Sequence, residues 1–143
     1  MSDIESAAAF KLECLKEQFV IHRLAADARI PEQVLNSHYY WVGKSDDELS
    51  IVCSSDIVVP STECSEAWSC FKVCGPLALT LTGVLAGITV VLRDEGISIF
   101  ALSTFDTDYV LVKTKVFPAA QNALKAAGYN FLLGENSLCP SQK

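Results

Sequence analysis

The sequence predicts an α+β fold: two βαββαβ modules in tandem, each an antiparallel sheet with its helices on one face. Three observations predict it. Ile97–Ser103 and Tyr109–Lys113 are rich in branched and aromatic residues, which pack well on a pleated surface, so both read as strands. Thr82–Glu95 and Pro118–Ala127 carry apolar residues at three- and four-residue spacing and read as helices. The first half repeats the pattern in weaker form, and each half has two strands around a turn that holds two aspartates: Asp46 and Asp47, then Asp106 and Asp108.

The elements follow in order. Phe10–Leu15 and Phe19–Leu24 are strand-like, as two strands or one bent strand, and Pro31–Asn36 suits a short helix. His38–Lys44 and Leu49–Cys53 are strands around Ser45-Asp-Asp-Glu48, and Pro60–Glu66 suits another short helical turn. Ala67–Cys74 is a strand closed by the turn dipeptide Gly75-Pro76. In Thr82–Glu95, Leu85, Ile88 and Leu92 share a face, Thr82 is the expected cap and Gly96 the expected stop. Gly83 and Gly87 would let the helix start approach another backbone closely. Pro118 fits a first helical turn, with Ala120, Leu124 and Ala127 inward and Gly128 ending the helix before a last strand at Asn130–Leu133. Strand, helix, strand, strand, helix, strand is the split βαβ, or ferredoxin-like, arrangement. The expected modules are residues 1–62 and 63–133, followed by a polar tail at 134–143.

Composition narrows the function. The 143 residues suit one ordinary domain or two small ones sharing a core. Half the residues are hydrophobic and the mean hydropathy is +0.30, which suggests strands buried on both faces or an apolar surface hidden in an oligomer. A net charge of −6 argues against nucleic acid or an anionic membrane as partner, since both require clustered Lys and Arg. The longest apolar run, Leu77–Leu92, falls short of the roughly 20 residues that span a bilayer. Met1-Ser-Asp-Ile-Glu-Ser lacks the basic start of a secretory signal, so a cytoplasmic location with reduced cysteines is expected. The six cysteines (Cys14, Cys53, Cys64, Cys70, Cys74 and Cys139) form no C-x-x-C pair and do not fit zinc.

Catalytic constellations are missing, and no catalytic residue, metal or cofactor is expected. His22 and His38 lie far apart, and His22, following Val20-Ile21, reads as structural. Gly75–Gly83 lacks the spacing and lysine of a phosphate-binding loop. Ser45–Glu48 lacks the ligand ladder of a calcium loop and reads as a solvated turn, while Trp41 and Trp68 read as core or interface residues. The polar knot Ser103-Thr-Phe-Asp-Thr-Asp108 is richer, and longer than a two-residue hairpin turn requires. Thr104 and Phe105 leave the sheet beside the expected start of the Thr82 helix, whose free N–H groups suit a carboxylate. Asp108 could hold an ammonium, and together they would match the two ends of a free amino acid. On the residues alone, an equal alternative is that Asp106 and Asp108 only brace the turn.

Four segments carry a family resemblance: Asp46-Asp-Glu-Leu-Ser-Ile-Val-Cys53, Val73-Cys-Gly-Pro-Leu77, Leu81-Thr-Gly-Val-Leu-Ala86 and Gly96–Lys113. They resemble small tandem ACT-domain proteins, related to the cytosolic arginine sensors called CASTOR proteins and to the regulatory part of aspartokinases. The resemblance extends to about Leu133 and is looser in the N-terminal half. It implies paired ACT modules whose sheets associate side by side, often across a homodimer, with an amino acid bound at the interface. It implies ligand contacts at Leu81, Thr82, Gly83 and Val84 and at Thr104, Phe105 and Asp108. Ser98 and Ile99 would come from the facing module, and Phe105, Asp106 and Asp108 match a surface by which the arginine sensors touch a protein partner. Those sensors have an acidic residue where this chain has Leu81, so an arginine side chain would lose its counter-charge.

The expected function is therefore a non-enzymatic regulatory sensor of a small amino-acid-like ligand, acting through a homodimer or a regulated protein partner. Two alternatives stand beside it: a protein–protein interaction module with a vestigial ligand site, and an ACT scaffold recruited as a small-molecule enzyme. The Leu81 substitution predicts that leucine binds more tightly than arginine or lysine. Isothermal calorimetry checks this, and the reverse ranking would refute it.

Overall fold

The computed structural model describes residues 11–74 and 83–132. By contacts the chain divides into two units: Glu17–Trp68, and the residues on either side of that segment. β1 (Lys11–Leu24) contributes its beginning to the flanking unit and the rest to the Glu17–Trp68 unit.

The flanking unit contains the start of β1, then β5 (Trp68–Val73), α2 (Val84–Asp94), β6 (Phe100–Ser103), β7 (Asp108–Lys113), α3 (Phe117–Ala126) and β8 (Asn130–Phe131). Its strands lie in the order β8-β1-β5-β7-β6. Alternation along the strands sends Leu12, Cys14, Phe71, Val73, Val110 and Val112 into one core with Val84, Ile88 and Leu92 of α2 and Ala120 and Leu124 of α3. Phe71 stacks on Phe117 with ring centroids 4.7 Å apart, which fixes the start of α3 against the sheet. On the strands, the alternate positions Glu13, Leu15, Cys70, Tyr109 and Leu111 are also buried, in keeping with the high hydropathy.

Both helices stop at glycine, as the sequence suggests. Gly96 (φ 73°) and Gly128 (φ 101°) adopt the left-handed conformation that a Cβ disfavours. Ile97 N–H donates to Leu92 O and Gly96 N–H to Arg93 O; Tyr129 and Gly128 repeat the pattern onto Leu124 and Lys125. These are Schellman closures, which satisfy carbonyls that a helix end otherwise leaves open. The helix bounds differ from expectation by a residue or two, and Thr82, the expected cap, lies outside the described residues.

The element order matches the split βαβ, but the last strand does not pair as that arrangement implies. β8 lies parallel to β1, with Lys11 opposite Asn130 and Leu12 opposite Phe131. The start of β1 occupies the edge of β5: Lys11 O accepts from Cys74 N–H at 2.8 Å, and Leu12 O accepts from Leu132 N–H at 2.9 Å. Leu12 and Cys14, two residues apart, give β1 the apolar face that this position needs.

The Glu17–Trp68 unit holds the rest of β1, α1 (Glu32–Leu35), β2 (Tyr40–Lys44), β3 (Leu49–Ser54) and β4 (Glu63–Cys64). β3 pairs antiparallel with β1 and with β2, and β4 pairs with β1 at His22 and Arg23. Leu24, Leu49, Ile51 and Cys53 pack with Val34 of α1 and with Val59. Phe19, Tyr39 and Trp41 form a ring cluster with centroids 6.2–6.3 Å apart, so Trp41 has the packing role expected of it.

The helical turn expected at Pro60–Glu66 is absent. Thr62 N–H and Oγ1 both donate to Arg23 O at 2.8 Å, and Ile21 N–H donates to Ser65 Oγ at 2.9 Å. Short hydroxyl side chains bonded to a neighbouring backbone favour an extended edge over a helix.

His22, only 4% exposed, sits mid-strand opposite Ile51 and Cys64. Its Nδ1 lies 2.9 Å from Ser61 Oγ, while the buried Nε2 has no hydrogen-bond partner. Burial lowers its pKa, because an imidazolium there would lose solvation without gaining a counter-charge. The unfolded state therefore binds the proton more readily, and stability is full above the unfolded value of about 6.5 and is lost as pH falls below it. The melting temperature should drop between about pH 6.5 and 5 beyond the general acid effect, and His22→Gln should flatten that part of the profile. Equal slopes in the two proteins would refute the assignment.

Candidate functional site

The knot is built from strand register upward. Phe100↔Leu111, Ala101↔Val110, Leu102↔Tyr109 and Ser103↔Asp108 pair antiparallel. Thr104 N–H then donates to Thr107 O at 2.8 Å, extending the ladder by one bond. The turn is thus tighter than its composition suggests, with Phe105 and Asp106 alone at its tip. Thr104 Oγ1 accepts from Thr107 N–H at 3.3 Å, a local hydroxyl brace. Thr107 is buried, and its Oγ1 donates to Val73 O at 2.6 Å, tying the turn to the end of β5. Ser103 Oγ donates to Asp108 Oδ1 at 2.6 Å, the short distance of a bond to a carboxylate.

The expected residues fall into distinct places. Asp108 opens β7 at a position in phase with buried Val110 and Val112, on the helix-covered side of the sheet. Gly83 caps α2 in the left-handed conformation (φ 89°), with no side-chain cap bond. Val84 is 4% exposed and packs in the core, so it could offer only backbone to a ligand. Leu81 and Thr82 lie outside the described residues. Phe105 is 80% exposed, and Asp106 and Thr104 beside it are exposed too. Ser98 and Ile99 precede β6, so the expected strand start at Ile97 is three residues early. At about 3.3 Å per residue β6 alone spans roughly 10 Å, and Ser98 and Ile99 precede its end away from the turn, so this hairpin by itself does not place both groups on one small molecule.

Two residues gain roles that the sequence did not assign. Thr107 is the anchor, and its signal was its two-residue spacing from Tyr109 and Leu111, all three buried. Glu13 is a fully buried carboxylate inside an apolar run, and it accepts from Cys74 Sγ at 3.5 Å. Burial pushes the Cys74 thiol up to about 12, with the Glu13 charge adding to the effect, and burial raises Cys14 and Cys53 to about 11. These thiols stay protonated at neutral pH and are poor nucleophiles. Among the described residues, no group of three or more His, Cys, Asp or Glu side chains could hold a metal ion. The arrangement suits binding: one braced carboxylate, hydroxyls and exposed backbone at one end of a rigid sheet.

The Ser45–Glu48 turn has the same build. Ser45 N–H donates to Glu48 O at 3.0 Å, and Ser45 Oγ accepts from Asp47 N–H at 3.1 Å. The position matching Asp108 is Leu49, which is buried.

Comparison with known proteins accords with this geometry. Residues 63–126 match the sequence model of the ACT domain. A crystal structure of an Agobacterium tumefaciens protein shares 36% identity, covering 87% of this chain and 93% of that one, with a TM-score of 0.79. The chain contains an ACT domain. Residues 17–62 match a separate family model described as an N-terminal domain. A Vibrio cholerae protein of unknown function is similar in fold at 17% identity (TM-score 0.67, 88% of this chain and 98% of that chain). The regulatory subunit of aspartate kinase from Thermus flavus is similar in fold at 11% identity (TM-score 0.57, 86% of this chain and 99% of that chain). Among curated proteins, none matches the chain.

The anchor makes a prediction. Thr107→Val should destabilise the protein by about 1–3 kcal/mol, because it leaves the buried Val73 carbonyl without its hydroxyl donor. Phe105→Ser, at an exposed tip, should stay within about 0.5 kcal/mol. Urea denaturation midpoints compare the two.

Proposed function

We propose that this ACT-domain protein is a non-enzymatic regulatory sensor that binds a small, neutral amino acid beside the β6–β7 turn. The observation that carries the reading is the Ser103–Asp108 pair. Ser103 engages Asp108 Oδ1, and Oδ2 makes no hydrogen bond among the described residues, so a preset acceptor stands ready for an ammonium group. The first N–H groups of α2, which have no side-chain cap, supply donors for the ligand carboxylate. Thr104, Phe105, Gly83 and Val84 complete this half of the site through side chain or backbone, with Leu81 and Thr82 from the preceding segment. Ser98 and Ile99 of the same module in a second copy of the chain form the other half, which requires a homodimer, while modules 1–62 and 63–133 remain a tandem pair within each copy. The shared turn architecture at Ser45–Glu48 supports the tandem reading, and the acidic, thiol-bearing composition supports a cytoplasmic setting.

A thermal-shift screen of the amino acids tests this, because selective binding to the native state raises the melting temperature. A ligand at 100 times its Kd stabilises by about 2.7 kcal/mol. Asp108→Ala should abolish the shift; an unchanged shift would refute the site.

One observation favours a second reading, a protein-interaction surface: Phe105 is 80% exposed on a braced tip next to Asp106. If no amino acid shifts the melting temperature, and Phe105→Ser changes the sedimentation behaviour of the protein, the turn serves assembly and not ligand sensing.

A further inference from the structure

A groove of about 630 Å³ opens where the start of β1, β8 and the end of α3 meet, within the flanking unit. Its lining is Lys11, Gln121, Lys125, Tyr129, Asn130 together with Phe131 and Leu132. None of these belongs to the β6–β7 turn or to the start of α2.

Charge distinguishes this groove from the rest of the protein. The chain carries a net charge of −6, yet among the described residues the groove is lined by two lysines and no carboxylate. Among the described residues neither Lys11 nor Lys125 forms an ion pair; the salt bridges there join Arg23 to Glu48 and Arg93 to Asp94. Lys125 Nζ rests 5.7 Å from the centre of the Phe131 ring, which holds the ammonium over the apolar wall. A lysine in a last helical turn often serves only the helix dipole. Here the carbonyls of Ala123, Leu124 and Lys125 are already met by the N–H groups of Ala127, Gly128 and Tyr129, and the dipole gives no account of Lys11 on β1.

The remaining walls set the rest of the ligand. Tyr129 is buried, Phe131 and Leu132 pack against the core, and Gln121 is held by an Nε2 to Cys14 Sγ bond at 3.6 Å. Two cations and two side-chain amides above aromatic and aliphatic surface suit an anionic head on an apolar body, and the volume falls within the range of small-ligand sites. We infer that this groove is a second binding site, taking a small organic acid with a single carboxylate and an aromatic or branched apolar body. The two lysines hold the carboxylate, and the Phe131 and Leu132 surface covers the body. The site is separate from the proposed amino-acid site and does not need its ammonium acceptor.

The test is an amide NMR titration of the full chain with phenylacetate and, separately, with inorganic phosphate. Phenylacetate should give saturable shifts at Lys125 and Tyr129–Leu132. Its affinity should fall roughly tenfold or more in the Lys11→Gln, Lys125→Gln double variant, the loss expected for bonds to a charged group. Lys125→Arg, which keeps the charge, should retain binding, and the spectra themselves report whether each variant is folded. Phosphate should bind far more weakly. Equal binding of phosphate, an unchanged affinity in the folded double variant, or the absence of saturable shifts at these residues would each overturn the site. Shifts confined to residues 104–108 would also overturn it, while leaving the turn as a ligand site.

Discussion

β6 meets β7 with Ser103 opposite Asp108, and this register governs most of what the flanking unit can do. Val110 and Val112 lie under the helices, while Tyr109 and Leu111 are buried at the alternate positions. A slip of one residue would exchange the two sets and swing Asp108 to the other side of the sheet. The turn reinforces the same register from its end, because Thr107 reaches Val73 only when Thr104 and Thr107 close the ladder between them. The carboxylate of Asp108 is placed by apolar packing several residues away, and the Ser103 hydroxyl then fixes its rotamer.

The two hairpins show how one turn design serves different ends. Each begins with a hydroxyl residue, closes with a backbone bond of about the same length and leaves two residues at the tip. At the first strand pair after the turn, one hairpin has Lys44 with Leu49 and the other Ser103 with Asp108. Leu49 is part of an apolar core and offers nothing to an ammonium group. Similarity of backbone thus does not carry a second copy of the polar pair, and the proposed amino-acid chemistry belongs to the C-terminal hairpin.

Local signals were legible in the sequence. Gly96 and Gly128 marked helix ends because the left-handed conformation excludes most side chains, and β3 and β7 declared themselves through branched residues. Non-local pairing was not legible. Nothing within Asn130–Phe131 says that it lies beside Lys11 and Leu12 and not beside β5, since that depends on which edge is open after distant segments meet. β4, two residues long and set by serine and threonine bonds to β1, carried too little pattern to separate it from a helical turn. The candidate site shows the same divide. Asp108 stood out as an acid at a strand start, whereas the partnership with Ser103 and the anchoring by Thr107 required the register.

The placement of β1 bears on how the protein can be made and divided. The segment matching the ACT family, residues 63–126, contains neither β1 nor β8, yet in the folded chain the start of β1 lies between β5 and β8. An excised fragment with those boundaries would expose the edge of β5 and lose Leu12 and Cys14 from its core. During synthesis β1 emerges first, but its partners in that sheet follow after more than fifty further residues, a wait of several seconds at about 5–20 residues per second. The domain recognised by sequence is therefore shorter than the one that folds.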